Sequence, residues 1–201
     1  MIPKKIHYVW MGGGEKSERI KLCQESWKKY APDFEVTEWN ERNFDATINK
    51  WTRKAYELKK WAFVSDYARL WVLYNYGGVY MDTDVELYHP IDEFLTLRGF
   101  TGFEAVHYPA CGLIGAEKGN PIIKKMMDYY DSIEFINYPD WRDFITNERT
   151  SVCIESNILA AAGINRDEEK IQCCGDFTVY PAWYFHTKGE GYAYHSWEGS
   201  W

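Results

Sequence analysis

The apolar positions between residues 65 and 90 change their spacing twice. They first recur at intervals of three and four residues up to Tyr76, which is the spacing of one helical face. Gly77 and Gly78 follow, and glycine is favoured where a helix ends in a left-handed conformation. Residues 79–81 are then of types that favour strands. The pattern predicts a helix, a glycine turn and a strand in direct succession, with two aspartates just after the strand.

The rest of the chain alternates between strand-like and helical segments. We predict strands at residues 5–10, 34–39, 99–106, 111–115 and 177–180, helices at residues 18–30, 53–76, 121–130 and 151–162, and a short helical turn near residues 91–95. Strands separated by helices indicate an α/β fold, with a mostly parallel sheet whose ligands gather at the carboxyl ends of the strands. No repeat or linker interrupts the 201 residues, so we predict a single domain over 1–201.

The least regular stretch is the aromatic-rich segment at residues 135–144. Because it matches neither helical nor strand periodicity, it is a candidate lid or acceptor wall.

Composition narrows the range of partners. The formal net charge of −7 argues against nucleic acid, because binding to a phosphate backbone depends on clustered Lys and Arg. The basic pairs at residues 4–5, 28–29 and 59–60 indicate solvated faces, although a peripheral contact with an anionic membrane stays open.

Cysteine usage and the N-terminus favour a cytoplasmic location. The five cysteines are irregularly spaced and include no C-x-x-C, which suggests neither a disulfide framework nor a zinc site. We expect the adjacent Cys173 and Cys174 to lie in a buried strand. The first ten residues lack the apolar run of a signal peptide, and no segment is long and apolar enough to span a membrane.

Asp82 and Asp84 form a D-x-D pair at the exit of the predicted strand. Residues i and i+2 of an extended segment point the same way, so both carboxylates can reach one ion. Such hard oxygen ligands suit Mg²⁺ or Mn²⁺, with substrate phosphates completing the coordination. In isolation the pair is better explained by an acid-rich turn after a strand. A phosphate loop at Gly12 is excluded because Glu15 stands where that motif requires glycine.

Three blocks of the chain, at residues 2–13, 65–86 and 193–201, together resemble the DXD-containing sugar transferases of glycosyltransferase family 32. This family includes bacterial capsule and lipopolysaccharide enzymes and yeast-type mannosyltransferases, and the catalytic domains of the clostridial glucosylating toxins are more distant relatives. The resemblance implies a GT-A fold, a nucleotide-sugar donor, dependence on Mn²⁺ or Mg²⁺, and transfer with retention of anomeric configuration.

The same resemblance implies roles for individual residues. Trp10 matches the aromatic residue that stacks on the donor base, and packing at a sheet edge is the less favoured alternative. Asp66 and Arg69 match the residues that bind donor sugar hydroxyls, whereas in isolation their i, i+3 spacing predicts only an ion pair. The implied catalytic set is Asp66, Arg69, Asp82 and Trp201; the donor-binding set is Trp10, Ser65, Asp66, Arg69, Tyr80, Asp82, Ser200 and Trp201; the metal set is Asp82, Asp84 and His195.

We therefore expect a retaining glycosyltransferase that moves a sugar from a nucleoside diphosphate sugar, UDP-linked, to a hydroxyl of a glycan or glycolipid. Three alternatives stay open: a glycoside hydrolase, a metal-dependent nucleotidyltransferase and a nucleotide-dependent carbohydrate-binding protein. The hydrolase is disfavoured because it needs two carboxyl groups facing each other across the sugar. Glu104 and His107 are candidates for the acceptor side, and Ser156 with Asn157 is a weaker one.

Overall fold

The computed structural model describes residues 1–110 and 112–197. Within these ranges the strands are β1 (Lys5–Val9), β2 (Glu35–Trp39), β3 (Gly78–Met81), β4 (Val85–Leu87), β5 (Gly99–Gly102), β6 (Leu113–Ala116), β7 (Gln172–Cys174), β8 (Phe177–Tyr180) and β9 (Ala193–His195). The helices are α1 (Glu18–Tyr30), α2 (Lys50–Glu57), α3 (Trp61–Tyr76), α4 (Pro121–Ser132), α5 (Trp141–Thr146), α6 (Ser151–Ala161) and α7 (Ala182–Phe185), with a 3-10 helix at Asp92–Thr96.

The main sheet has the strand order β2, β1, β3, β6, β5, β8, β7. Strands β1, β2 and β3 run parallel to one another, as do β5 and β8. Only β6 and β7 run against their neighbours in this sheet, and β6 does so on both sides. The predicted mostly parallel α/β sheet is thus confirmed. Strands β4 and β9 form a separate antiparallel ribbon.

Helices cover both faces of the main sheet. The side chain of Tyr80 packs with residues of α2, α3, α4 and α6 on one face. Its neighbours Val79 and Met81 pack with residues of α1, the 3-10 helix and α7 on the other. This alternation is what an extended strand requires. Strand β3 is therefore central to the core, and its carboxyl end leads directly to Asp82.

Two glycines make the turn between α3 and β3. Gly77 has φ +66° and Gly78 has φ +120°, a range that side chains rarely adopt. A β-carbon on Gly77 would also lie 2.8 Å from the backbone nitrogen of Lys118, and one on Gly78 would lie 2.8 Å from the carbonyl oxygen of Lys5. The predicted glycine turn is confirmed, and it delivers the chain into the middle of the sheet without a longer loop.

The structure corrects several predicted boundaries. The prediction that residues 53–76 are largely helical is confirmed, but the stretch divides into α2 and α3 at residues 58–60, where Lys59 adopts φ +57°. No glycine or proline marks that break in the sequence. The strand expected at residues 99–106 ends at Gly102, and strands β4, β7 and β9 with helices α5 and α7 were not predicted. Each of these missed elements has at most six residues, too few for a clear periodicity.

Two further expectations hold only in part. Cys174 is buried, but Cys173 is exposed. Within the irregular segment, Phe135 and Phe144 are buried and pack against Phe63 with ring centroids 5.0 and 4.5 Å away. This part of the segment belongs to the core. None of the helices formed by residues 1–110 and 112–197 is long and apolar enough to cross a membrane.

Candidate active site

A network of buried polar contacts joins α3 to the end of β3. Arg69 Nη2 lies 3.0 Å from Asp66 Oδ1 and 3.2 Å from Asp82 Oδ1. The Tyr80 hydroxyl donates to Asp82 Oδ1 at 2.8 Å, and its oxygen lies 3.0 Å from Ser65 Oγ. Because the single phenolic hydrogen is used on Asp82, Ser65 donates to Tyr80. The five residues that the resemblance assigned to this region of the donor site are thus brought together.

Burial sets the electrostatics of this network. The side chains of Asp66 and Arg69 are each 8% exposed. Burial raises the pKa of Asp66 to about 6, although Arg69 opposes the shift. Burial alone would lower the pKa of Arg69, but Asp82, Tyr80 and Asp66 hold it well above the ordinary value. The guanidinium is therefore charged at every accessible pH, and it holds two carboxylates in place.

The second half of the site comes from the ribbon of β4 and β9. Val85 pairs with His195, which brings the imidazole beside Asp84. His195 Nε2 lies 3.1 Å from Asp84 Oδ1 and 3.9 Å from Asp82 Oδ2. Burial alone would lower the pKa of His195, but the hydrogen bond with Asp84 and the charge of Asp82 raise it above the ordinary value. The two aspartates and His195 thus meet at one point.

Close backbone approach shapes the same point. A β-carbon on Gly112 would lie 2.7 Å from Asp82 Oδ2 and 3.1 Å from His195 Nδ1. Only glycine allows this approach with the side chains where they are, since β-carbon contacts below 3.0 Å are essentially never found.

The residue types at this point are those that bind a divalent cation. Two carboxylates and, once it is deprotonated, one imidazole nitrogen are ligands that suit Mn²⁺. Among the residues described, no group of three or more His, Cys, Asp or Glu side chains is arranged so that it could hold a metal ion. Magnesium and manganese sites that share substrate phosphates require only one or two protein carboxylates, so an incomplete cage is consistent with such a site.

Trp10 lies just after β1, on the same edge of the sheet as Asp82. Its indole nitrogen donates to the Gly14 carbonyl at 2.8 Å, and Lys16 lies 5.5 Å from its ring centroid. The loop it begins packs on α3, since a β-carbon on Gly12 would lie 2.5 Å from the indole nitrogen of Trp61. Trp10 is half-buried, and its contact with a nucleotide base stays a prediction.

Sequence reasoning missed two residues of α6, Ser151 and Glu155. The Ser151 hydroxyl donates to Asp66, and Glu155 lies one helical turn further along. Glu155 is 1% exposed, and burial raises its pKa to about 8 although Arg69 opposes the shift. The available signal was that Glu155 is the one charged residue in the sequence of residues 152–160, because such a residue is either paired or held neutral when the helix is buried.

Of the acceptor-side candidates, Glu104 lies near the site and His107 does not. Glu104 lies within electrostatic reach of His195 and Asp82, and burial raises its pKa to about 7. His107 is exposed and pairs instead with Asp167 at 2.8 Å.

On α6, Ser156 is fully buried, whereas Asn157 donates to Glu148 and accepts from Arg166. Ser200 and Trp201 lie outside the residues that the structure describes, so their expected roles stay predictions.

Comparison with known proteins supports the resemblance. Residues 17–100 match the family described as a glycosyltransferase sugar-binding region containing a DXD motif. Over this stretch the chain is similar to that sugar-binding region. The matched segment includes α3, β3 and both aspartates of the pair. The resemblance to this family is therefore confirmed.

Among the proteins to which this chain is similar, inositol phosphoceramide mannosyltransferase 3 of Schizosaccharomyces pombe is 29% identical over 63% of this chain and 36% of its own length. The alpha-1,4-N-acetylglucosaminyltransferase of Homo sapiens is 32% identical over 41% of this chain and 23% of its own. An uncharacterized glycosyltransferase of Acanthamoeba polyphaga mimivirus is 26% identical over 94% of this chain and 86% of its own. The chain thus spans about a third or less of the first two relatives.

A solved structure supports the architecture. The PaToxG glycosyltransferase superposes with a TM-score of 0.54 at 20% identity, covering 80% of this chain and 69% of that protein. At this identity the likeness concerns the fold, and it agrees with the expected GT-A arrangement.

Proposed function

We propose that this protein transfers a sugar from a nucleoside diphosphate sugar, UDP-linked, to a hydroxyl of a glycan or glycolipid, with retention of anomeric configuration. The observation that supports this most directly is the position of Asp82. It contacts Arg69 and Tyr80 on one side and lies 3.9 Å from His195 on the other. A donor bound here would meet the polar network of α3 and the cation ligands together.

Each group has a role that follows from its surroundings. Asp82, Asp84 and His195 would hold Mn²⁺ or Mg²⁺, which when bound neutralises the diphosphate. Arg69 steadies the carboxylates of Asp66 and Asp82 and adds positive charge where the leaving group becomes negative. Asp66, tied to Arg69 and Ser151, can accept a hydrogen bond from a hydroxyl of the donor sugar.

Retention needs no protein nucleophile in this proposal. Attack of the acceptor hydroxyl on the same face as the departing diphosphate lets a phosphate oxygen take the acceptor proton. The cytoplasm remains the predicted compartment on the basis of cysteine usage, and a peripheral contact with the inner membrane face would suit a glycolipid acceptor.

A donor screen tests the proposal. The full chain is incubated with UDP-glucose, UDP-galactose, UDP-N-acetylglucosamine or GDP-mannose, with and without Mn²⁺, and the released nucleotide is measured. We expect release of UDP from one UDP-sugar, dependent on the metal. Titration calorimetry with UDP should show binding that requires Mn²⁺.

Other outcomes would favour the alternatives. Release of pyrophosphate from UTP and a sugar phosphate would identify a nucleotidyltransferase. Nucleotide-dependent binding of sugars without release of nucleotide from any donor would indicate a carbohydrate-binding protein, and the proposal would then be wrong.

A further inference from the structure

Three aromatic rings form a cluster against the pair of Asp84 and His195. The ring centroids of His186 and His195 are 5.7 Å apart, and those of Trp197 lie 6.1 Å from His186 and 5.8 Å from His195. The two imidazoles are largely buried, whereas Trp197 is 57% exposed. The indole thus lies on the imidazoles and presents a large aromatic surface to solvent, directly beside the candidate cation ligands.

The backbone holds Trp197 in an unfavourable conformation. Its φ of +58° lies in the left-handed region, where a bulky side chain is a rare exception. The preceding residue is fixed, because the amide and the hydroxyl of Ser196 both donate to the Asp84 carbonyl, at 3.1 and 3.0 Å. An indole that is more than half exposed gains little from burial. Strain of this kind is found where the surrounding structure enforces a functional geometry.

The imidazoles beneath the indole have unused hydrogen-bonding capacity. In the described part of the chain, His186 Nε2 and His195 Nδ1 are buried without a hydrogen-bond partner. These nitrogens lie beneath the indole, so the exposed face of Trp197 is the surface that a ligand meets.

An exposed indole face of this kind matches the chemistry of a sugar ring. A pyranose has an apolar face of C–H groups, which packs on an indole, and a rim of hydroxyl groups, which form hydrogen bonds at the edge. We propose that Trp197, supported by His186 and His195, forms the acceptor subsite and binds a pyranose ring of the acceptor glycan. This inference rests on the proposed function. In a sugar transferase, a sugar that binds beside the cation ligands and is not part of the donor is the acceptor, which receives the transferred residue.

The test uses Trp197→Ala, with Trp141→Ala as the matched control. Trp141 is also an exposed tryptophan, 64% exposed on α5. Binding of methyl α-D-glucopyranoside, methyl α-D-mannopyranoside and methyl β-D-galactopyranoside to the full chain is measured by saturation-transfer NMR, with UDP affinity in Mn²⁺ measured in parallel. We expect at least one glycoside to bind the wild type and Trp141→Ala, and about fivefold weaker binding or none to Trp197→Ala.

Trp197→Phe should restore part of the binding, because it keeps a smaller aromatic face. Thermal unfolding of each variant shows whether the fold is retained, and the Phe variant decides the question where the Ala variant is unfolded. Equal glycoside binding by the wild type and the folded Trp197 variants, or binding of no glycoside to the wild type, would overturn the proposal. Loss of UDP affinity with unchanged glycoside binding would assign Trp197 to the nucleotide instead.

These measurements separate the two hypotheses. Glycoside binding needs no donor, so the subsite is tested even where no donor sugar is turned over. If the wild type binds a glycoside through Trp197 but no nucleotide in the presence of Mn²⁺, the proposed transferase function fails while the sugar subsite stands.

Discussion

Arg69 Nη2 lies 3.2 Å from Asp82 Oδ1, so one buried guanidinium ties helix α3 to the first aspartate of the D-x-D pair. The same nitrogen contacts Asp66 at 3.0 Å. The guanidinium of Arg69 thus holds the carboxylates of Asp66 and Asp82, which are 16 residues apart in the sequence.

Arg69→Lys should therefore damage both activity and stability. Lysine keeps the charge but loses the planar fork, and its shorter reach leaves a buried carboxylate without its partner. We expect turnover to fall by about 100-fold and the free energy of unfolding by about 3 kcal/mol, as for a broken buried pair. The measurements are steady-state kinetics and urea unfolding.

Arg98→Lys is the matched control, because Arg98 is 57% exposed and pairs on the surface with Glu117 and Asp176. It should cost no more than about 1 kcal/mol. Equal effects of the two substitutions would contradict the role assigned to Arg69.

The parts of the site that sequence predicts are those encoded by local pattern. Helical spacing, two glycines and strand-forming residues follow one another directly before Asp82, and the structure reproduces that order. The ribbon that carries His195 has no such signal. Its two strands have three residues each, and Val85 pairs with a residue 110 positions away. Only the family resemblance pointed to His195. The pairing of β4 with β9, which brings His195 to Asp84, is visible only in the structure.

Glu155 illustrates the other limit. Its presence in an apolar helix is visible in the sequence, but its neighbours on α3 are not. The helix break at Lys59 could not be predicted either. Lys59 adopts the left-handed conformation, but a lysine in the sequence does not indicate that conformation as a glycine would.

Asp84→Asn should leave the fold intact and remove metal-dependent binding. The replacement has the same size and can still pair with His195, but it lacks the negative charge that attracts a divalent cation. We expect Mn²⁺-dependent UDP affinity to weaken by about tenfold or more and most activity to be lost. Calorimetry with UDP and Mn²⁺ measures the effect.

Asp92→Asn provides the control for Asp84→Asn, because Asp92 pairs with Lys4 on the surface. Near-normal activity of Asp84→Asn at saturating donor would exclude Asp84 as a ligand.

Glu155→Gln should change how stability depends on pH. Burial raises the pKa of Glu155 to about 8 in the folded protein, above its ordinary value of 4.5. As the pH rises between these values, the unfolded chain releases the proton while the folded protein keeps it, so stability falls by up to about 1.4 kcal/mol per pH unit. The full contribution of protonated Glu155 to stability is present below the pKa that it has in the unfolded chain. Glutamine cannot titrate, so the stability of the variant does not fall with pH for this reason.

The comparison is made by urea unfolding from about pH 5 to about pH 8, over which the wild type should lose stability relative to Glu155→Gln. Glu134→Gln, at an exposed site that pairs with Lys50, should follow the wild type. Parallel curves for the wild type and Glu155→Gln would show that Glu155 is already ionised in the fold.

Gly112→Ala tests whether the close backbone approach is needed for the site. The added methyl group would lie 2.7 Å from Asp82 Oδ2, and that carboxylate cannot turn away without straining its contacts with Arg69 and Tyr80. His195 blocks the other direction, with Nδ1 at 3.1 Å. We expect the free energy of unfolding to fall by about 1 to 3 kcal/mol, as in other overpacked sites, and metal-dependent UDP binding to weaken by about tenfold.

Gly14→Ala is the matched control, because a methyl group there has no neighbour within 4 Å and the backbone is not left-handed. Its stability should stay within about 0.5 to 1 kcal/mol of the wild type. A Gly112→Ala variant that binds UDP and Mn²⁺ as tightly as Gly14→Ala does would mean that Asp82 and His195 are free to move, and that their observed positions are not the ones used in binding.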